Sequence, residues 1–131
     1  MIKVNQKKLC VTLICARDIE ELHKGDMVVA NAFVRALSDF TNLSIICLSS
    51  TNQKDRFIIN NQKIQVFKIQ YPQLLEIIRG VIKSLFTLRP FQYTLCSNKR
   101  VKMKTIKLLK ELGCEVTISI TSRAWAMHLG K

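Results

Sequence analysis

Residues 8–15, KLCVTLIC, and residues 43–48, LSIICL, are short runs with almost no polar break. Runs this short and this apolar are too brief for a buried helix and suit strands covered on both faces, as in a parallel sheet. Between them, Val29, Phe33, Val34, Leu37 and Phe40 recur at the spacing of one helical face, which predicts a helix over 26–40. Residues 10–48 therefore read as strand, polar loop closing on Lys24-Gly25-Asp26, amphipathic helix, strand. A unit of this kind aims backbone N–H groups and the positive end of a helix dipole at the sheet's carboxyl edge, where phosphates bind. In that reading Gly25 supplies a sharp turn or close approach, Asp26 caps the helix, and Lys24 adds positive charge. One glycine is not a phosphate-binding motif, and a βα turn needing a small residue is the competing account.

The same alternation continues along the chain. Residues 57–69, FIINNQKIQVFKI, read as a hairpin turning at Asn60-Asn61 and ending in a third strand. Pro72 is expected to open a helix over 72–88, and a second helix over 98–112 is expected to be capped by Ser97 or Asn98 and closed by Gly113. EVTISI at 115–120 predicts a fourth strand and SRAWAMHL at 122–129 a last short helix. Strands alternating with helices predict a single α/β domain, a Rossmann-like doubly wound parallel sheet of about four strands ordered 3-2-1-4. A chain of 131 residues is long enough for one such domain with a real core.

The two middle helices differ. The first is apolar nearly all round, from Leu74 to Leu88, and so requires cover beyond one sheet face: another domain, a partner chain or a membrane surface. The second segregates. Val101, Thr105, Leu108, Leu109 and Leu112 share one face, and Lys99, Arg100, Lys104, Lys107 and Lys110 spread over the other, with Met103 and Ile106 among them. Such a face is either solvated or rests on an anionic membrane.

Charge narrows the partners. The formal net charge is +12, of which residues 1–60 hold +2 (8 basic, 6 acidic) and residues 61–131 hold +10 (13 basic, 3 acidic). Two accounts of the second half stay open: a polyanionic partner (anionic lipid, nucleic acid or a phosphorylated substrate), and a solvated basic surface that only aids solubility. No apolar run approaches the ~20 residues of a membrane span. The amino-terminal apolar run ends at Arg17-Asp18 and reads as a core strand, not a secretory signal. Five cysteines, Cys10, Cys15, Cys47, Cys96 and Cys114, lack paired CxxC spacing and are expected as reduced, buried thiols of a cytoplasmic protein. With two histidines, no metal site is expected.

Catalytic signatures are sparse. There is no GxSxG, Walker loop or GxGxxG, and the acids Asp18, Glu20 and Glu21 stand in a loop without strand-end partners. Stacking aromatics at spaced strand positions are missing, so nucleic acid is an unfavoured partner.

The chain resembles the amino-terminal domain of family 4 glycosyltransferases of the GT-B fold, of the bacterial exopolysaccharide and lipopolysaccharide type. The resemblance lies in HKGD before the first helix, in KSLFTLRPFQYTLCSNKRVKMKTIKLL, and in EVTISITSRAWAMH with its arginine-bearing short helix. It departs where relatives commonly place Lys and Arg after Gly-Asp; here Met27 and Val29 stand. The resemblance implies the acceptor-side half of a sugar transferase, with Lys24, Gly25, Asp26 and Arg123 lining the substrate cleft. It assigns no catalytic residue and no cofactor. It implies a nucleotide-sugar donor as substrate of the complete enzyme, and a donor-binding domain or subunit as partner. Two alternatives stay open: a non-enzymatic basic module binding nucleic acid or an acidic protein, and an inactive remnant.

Overall fold

The computed structural model describes residues 7–17, 25–50, 54–59, 62–90, 94, 96, 98–120 and 122–127. Its elements are β1 (Leu9–Cys15), α1 (Gly25–Leu37), β2 (Thr41–Ser49), β3 (Lys54–Ile59), β4 (Gln62–Gln70), α2 (Leu74–Thr87), α3 (Lys99–Leu112), β5 (Val116–Ser119) and α4 (Ser122–Ala126). The sheet is ordered β3-β4-β2-β1-β5. β4, β2, β1 and β5 are mutually parallel, in the order expected for the four strands, and β1 is interior, paired on both sides. β3 adds a fifth, antiparallel edge strand, paired with β4 so that Ile59 stands opposite Gln62. The proposed turn residues Asn60 and Asn61 lie outside the described residues, but the hairpin around them is present. The architecture is a Rossmann-like α/β sandwich.

Alternation along each buried strand divides the core in two. On one face Val11, Leu13 and Cys15 join Leu43, Ile45 and Cys47 beneath Met27, Ala30 and Val34 of α1. On the other, Ile14, Ile46, Leu48 and Ile69 pack against Val101 of α3 and against Ala124 and Ala126 of α4. Both faces of β1 and β2 are thus covered, which is why neither shows a two-residue period of apolar and polar residues.

The inward face of α1 differs from the sequence expectation. Met27, Ala30 and Val34 are fully buried, whereas Val29 and Phe33 are exposed and Phe40 lies past the helix, 74% exposed. Small Ala30 lets the helix approach the sheet closely, so the helix seats on that stripe and the larger aromatics turn outward.

α2 also starts later than expected. Pro72 precedes the helix, and Gln73 is its N-cap. The Gln73 N–H donates to Glu76 Oε2 at 2.9 Å, so Glu76 reaches back to the cap as in a capping box. α3 matches its expected ends: Asn98 Oδ1 accepts from the Arg100 N–H at 2.9 Å, and Gly113 follows in the left-handed region at φ 59°. The other cap candidate, Ser97, lies outside the described residues.

The cysteine expectation is corrected at one pair. Cys10 and Cys114 form a disulfide, with Cα atoms 4.7 Å apart across 104 residues of sequence. Parallel pairing of β1 with β5 brings them together, since the Glu115 N–H donates to the Cys10 carbonyl at 3.2 Å. No local spacing could announce that contact. Cys15, Cys47 and Cys96 are buried thiols outside any disulfide, as expected.

Candidate functional site

Two regions carry the residues singled out by sequence, and topology relates them. β1 and β5 are parallel neighbours, so α1, which follows β1, and α4, which follows β5, both begin at the same carboxyl edge. The backbones of Gly25, Asp26 and Arg123 are thereby placed at the carboxyl ends of adjacent strands. Lys24 lies outside the described residues, as do Asp18, Glu20 and Glu21.

The roles expected of the Gly25 segment change with the structure. Gly25 is the first helical residue, exposed, and a Cβ added to it would meet nothing within 4 Å. Its backbone angle is not in the left-handed region. The position therefore requires neither a tight turn nor a close approach, and the phosphate-cradle argument loses its steric basis. Asp26 is the second residue of the helix and so follows the cap position.

The second region is better built. α3 runs away from the carboxyl edge: its first turn stands beside the end of β4, and its carboxyl end is followed by Cys114, bonded to the start of β1. Arg100 fixes this placement. Its Nε donates to Glu76 Oε1 at 2.7 Å and its Nη2 to Glu76 Oε2 at 3.0 Å. Nη2 also donates to the carbonyls of Gln70, at 2.9 Å, and Tyr71, at 3.2 Å. One guanidinium thus ties α3 to α2 and to the end of β4. The Arg100 hydrogen bond holds the Glu76 carboxyl below its ordinary range; partial burial opposes this, and the Gln73 N–H assists it. Arg100 was expected on the open lysine face. It is instead half-buried, because a fork of donors beside an acid and two strand-end carbonyls is better satisfied inside.

Between the two helices lies a groove of about 480 Å³ lined by Glu76, Arg79, Asn98, Lys99, Arg100 and Lys104, with Met103 among them. Lys107 and Lys110 stand farther along α3, toward the amino edge, and are exposed. The five basic residues of α3 that the sequence put on one face are therefore divided. Lys99, Arg100 and Lys104 belong to the groove, and the other two to an open face. Arg79, the groove's contribution from α2, was not singled out by sequence; its position among apolar residues of an all-round apolar helix was the available signal.

α2 itself turns most of its apolar surface outward. Gly80 is its buried residue and Ile77 and Ser84 are half-buried, a narrow inward stripe three and four residues apart. Leu74, Leu75, Ile78, Val81 and Ile82 are exposed, Leu85 is 72% exposed and Phe86 85% exposed, and Leu88 beyond the helix is 91% exposed. The sequence expectation that this helix lacks cover within the domain holds. A separate cavity of about 280 Å³, lined by Cys10, Ser38, Thr41 and Asn42 among others, lies at the opposite, amino edge.

Among the described residues, no helix is long and apolar enough to cross a membrane, and no three His, Cys, Asp or Glu side chains gather as metal ligands. No protein-family model matches the chain, and neither a curated protein nor a solved structure matches it.

Proposed function

We propose that this chain is the acceptor-side half of a GT-B glycosyltransferase acting in polysaccharide or glycolipid synthesis, seated on an anionic membrane and completed by a donor-binding domain or subunit. The observation that carries the reading is the surface of α2 and α3. Seven outward apolar side chains, Leu74, Leu75, Ile78, Val81, Ile82, Leu85 and Phe86, stand beside a lysine-bearing helix held to α2 by Arg100. Apolar side chains that enter the headgroup boundary, flanked by cations that meet lipid phosphates, are the chemistry of an interfacial surface. A glycolipid acceptor is delivered at that boundary. In this reading the acceptor would meet the donor half at the carboxyl edge, where the helices bearing Gly25, Asp26 and Arg123 follow the neighbouring strands β1 and β5. No residue here is assigned as nucleophile or general base, and in this reading donor binding and charge stabilisation are supplied by the partner.

Deleting the gene in its source cell should reduce transfer of labelled sugar from nucleotide sugars into lipid-extractable product, and purified chain added to those membranes and cytosol should restore it. Unchanged incorporation in the deletion strain would remove the transferase reading. Vesicles test the seating separately. The chain should sediment with vesicles containing acidic lipid and release as salt rises. Replacing Lys104, Lys107 and Lys110 by Gln should weaken binding by about two orders of magnitude, at ~1 kcal/mol for each lysine. Preferential capture by RNA or DNA would instead favour a non-enzymatic basic module.

A further inference from the structure

We infer that the groove between α2 and α3 is a recognition site for a lipid phosphomonoester or pyrophosphate headgroup, whose hydrocarbon chain lies along the exposed apolar face of α2. The inference rests on the membrane reading above and adds to it a discrete site with chemical selectivity. Four cations line the groove: Arg79 from α2 and Lys99, Arg100 and Lys104 from α3. The one carboxylate among the lining residues is Glu76, already engaged through both oxygens by Arg100. The formal balance is thus three positive charges in excess, drawn from two elements that Arg100 locks together. A surface that needs only diffuse attraction to lipid does not require cations converging from two helices on one concavity.

The convergence suits a terminal phosphate. A phosphomonoester carries −1.5 to −2 charges near neutral pH and three oxygens, enough to accept from an arginine fork and two ammonium groups at once. A phosphodiester headgroup offers one charge and two free oxygens, which an open lysine face serves equally well. Within the wall, Arg100 Nη1 is buried without an acceptor among the described residues, so the guanidinium still has a donor unmatched.

The apolar part of the ligand follows from helix geometry. Leu75 and Ile82 stand four residues before and three residues after Arg79, on the same face of α2, and both are exposed. Met103, 62% exposed, lies on the α3 side of the groove. A hydrocarbon chain leaving a phosphate at Arg79 would meet Leu75, Ile82 and Met103 immediately. A soluble phosphate would gain nothing from them, which commits the site to a lipid source.

The test compares phosphatidylcholine vesicles carrying phosphatidic acid with others carrying phosphatidylglycerol, matched for surface charge by electrophoretic mobility. The full chain should bind the phosphatidic acid vesicles about tenfold more tightly, the worth of one charge-assisted hydrogen bond. Arg79→Gln and Lys104→Gln should each collapse that preference toward the phosphatidylglycerol value. Lys107→Gln with Lys110→Gln should weaken binding to both vesicles alike. Circular dichroism of each variant confirms the fold, and Arg79→Lys, which keeps the charge, should restore part of the preference. Equal binding to the two vesicles overturns the groove while leaving the membrane reading intact. Binding to neither overturns both. A preference that survives Arg79→Gln and Lys104→Gln also overturns the groove, and one abolished by millimolar inorganic phosphate overturns the lipid source.

Discussion

The Arg100–Glu76 pair is the joint on which the placement of α2 depends, and its strength can be worked from its surroundings. Arg100→Gln removes two hydrogen bonds to a carboxylate and two to strand-end carbonyls. Hydrogen bonds to charged groups contribute about 1.5–3 kcal/mol where water is excluded. Here 28% of the arginine side chain and 22% of the glutamate side chain remain exposed, so screening keeps the loss near the lower end. We expect Arg100→Gln to cost about 2 kcal/mol. At ~2.1 cal/mol/K of unfolding entropy per residue, and with 131 residues in the chain, that corresponds to a fall of about 7 °C in Tm.

A cycle with Glu76→Gln should show a coupling of about 1 kcal/mol at pH 7, measured by urea unfolding followed by circular dichroism. The coupling has a definite pH sign. Because Arg100 lowers the folded-state pKa of Glu76 below its ordinary value of 4.5, the stabilisation is fully present above that value and is lost as pH falls through the lowered one. The stability gap between wild type and Arg100→Gln should therefore narrow on acidification below about pH 4.5, leaving the part owed to the Gln70 and Tyr71 carbonyls. A coupling under about 0.3 kcal/mol at pH 7, or one indifferent to acid, would refute the description of Arg100 as the clamp between α2 and α3.

Two further outcomes follow from packing. Val34→Ala, at a fully buried position of α1, should cost about 2 kcal/mol in chemical unfolding, whereas Phe40→Ser should lie within about 0.5 kcal/mol of wild type; the reverse order would mean that α1 seats on its aromatic face. Gly25→Ala should be neutral or stabilising by up to about 0.5 kcal/mol, because the added methyl meets nothing and the residue is already helical; a loss above about 1 kcal/mol would restore the tight-turn argument.

The limits of sequence reading are visible at particular elements. β1 and β2 were legible because strands buried on both faces are nearly continuous in apolar residues, and a run of that kind between turn signals has few other folds open to it; β4 was legible as the second arm of the hairpin in 57–69. The order of the parallel strands followed from the rule of right-handed crossovers. The α3 boundaries were legible because Asn98 and Gly113 satisfy helix ends by local chemistry. On the candidate site, the pattern of residues 98–112 announced a basic face but not its division, because period shows which side of a helix is polar and not what stands opposite each side chain.

What the sequence by itself determined is therefore whatever depends on neighbours within a few residues: strand and helix identity, caps, the alternation that makes an α/β sheet, and the excess of apolar surface on α2. Tertiary structure decided whatever depends on contacts between distant segments. Ala30 rather than Phe33 became the seat of α1, since close approach to a sheet rewards a small residue. Cys10 met Cys114 because two strands 104 residues apart along the chain pair in register. Arg100 left the lysine face for Glu76 because a carboxylate and two strand-end carbonyls 24 to 30 residues away converge on it. Arg79 joined the groove for the same reason: helix periodicity sets its direction on α2, and only the packing of α3 alongside supplies the partner cations that make a direction into a site.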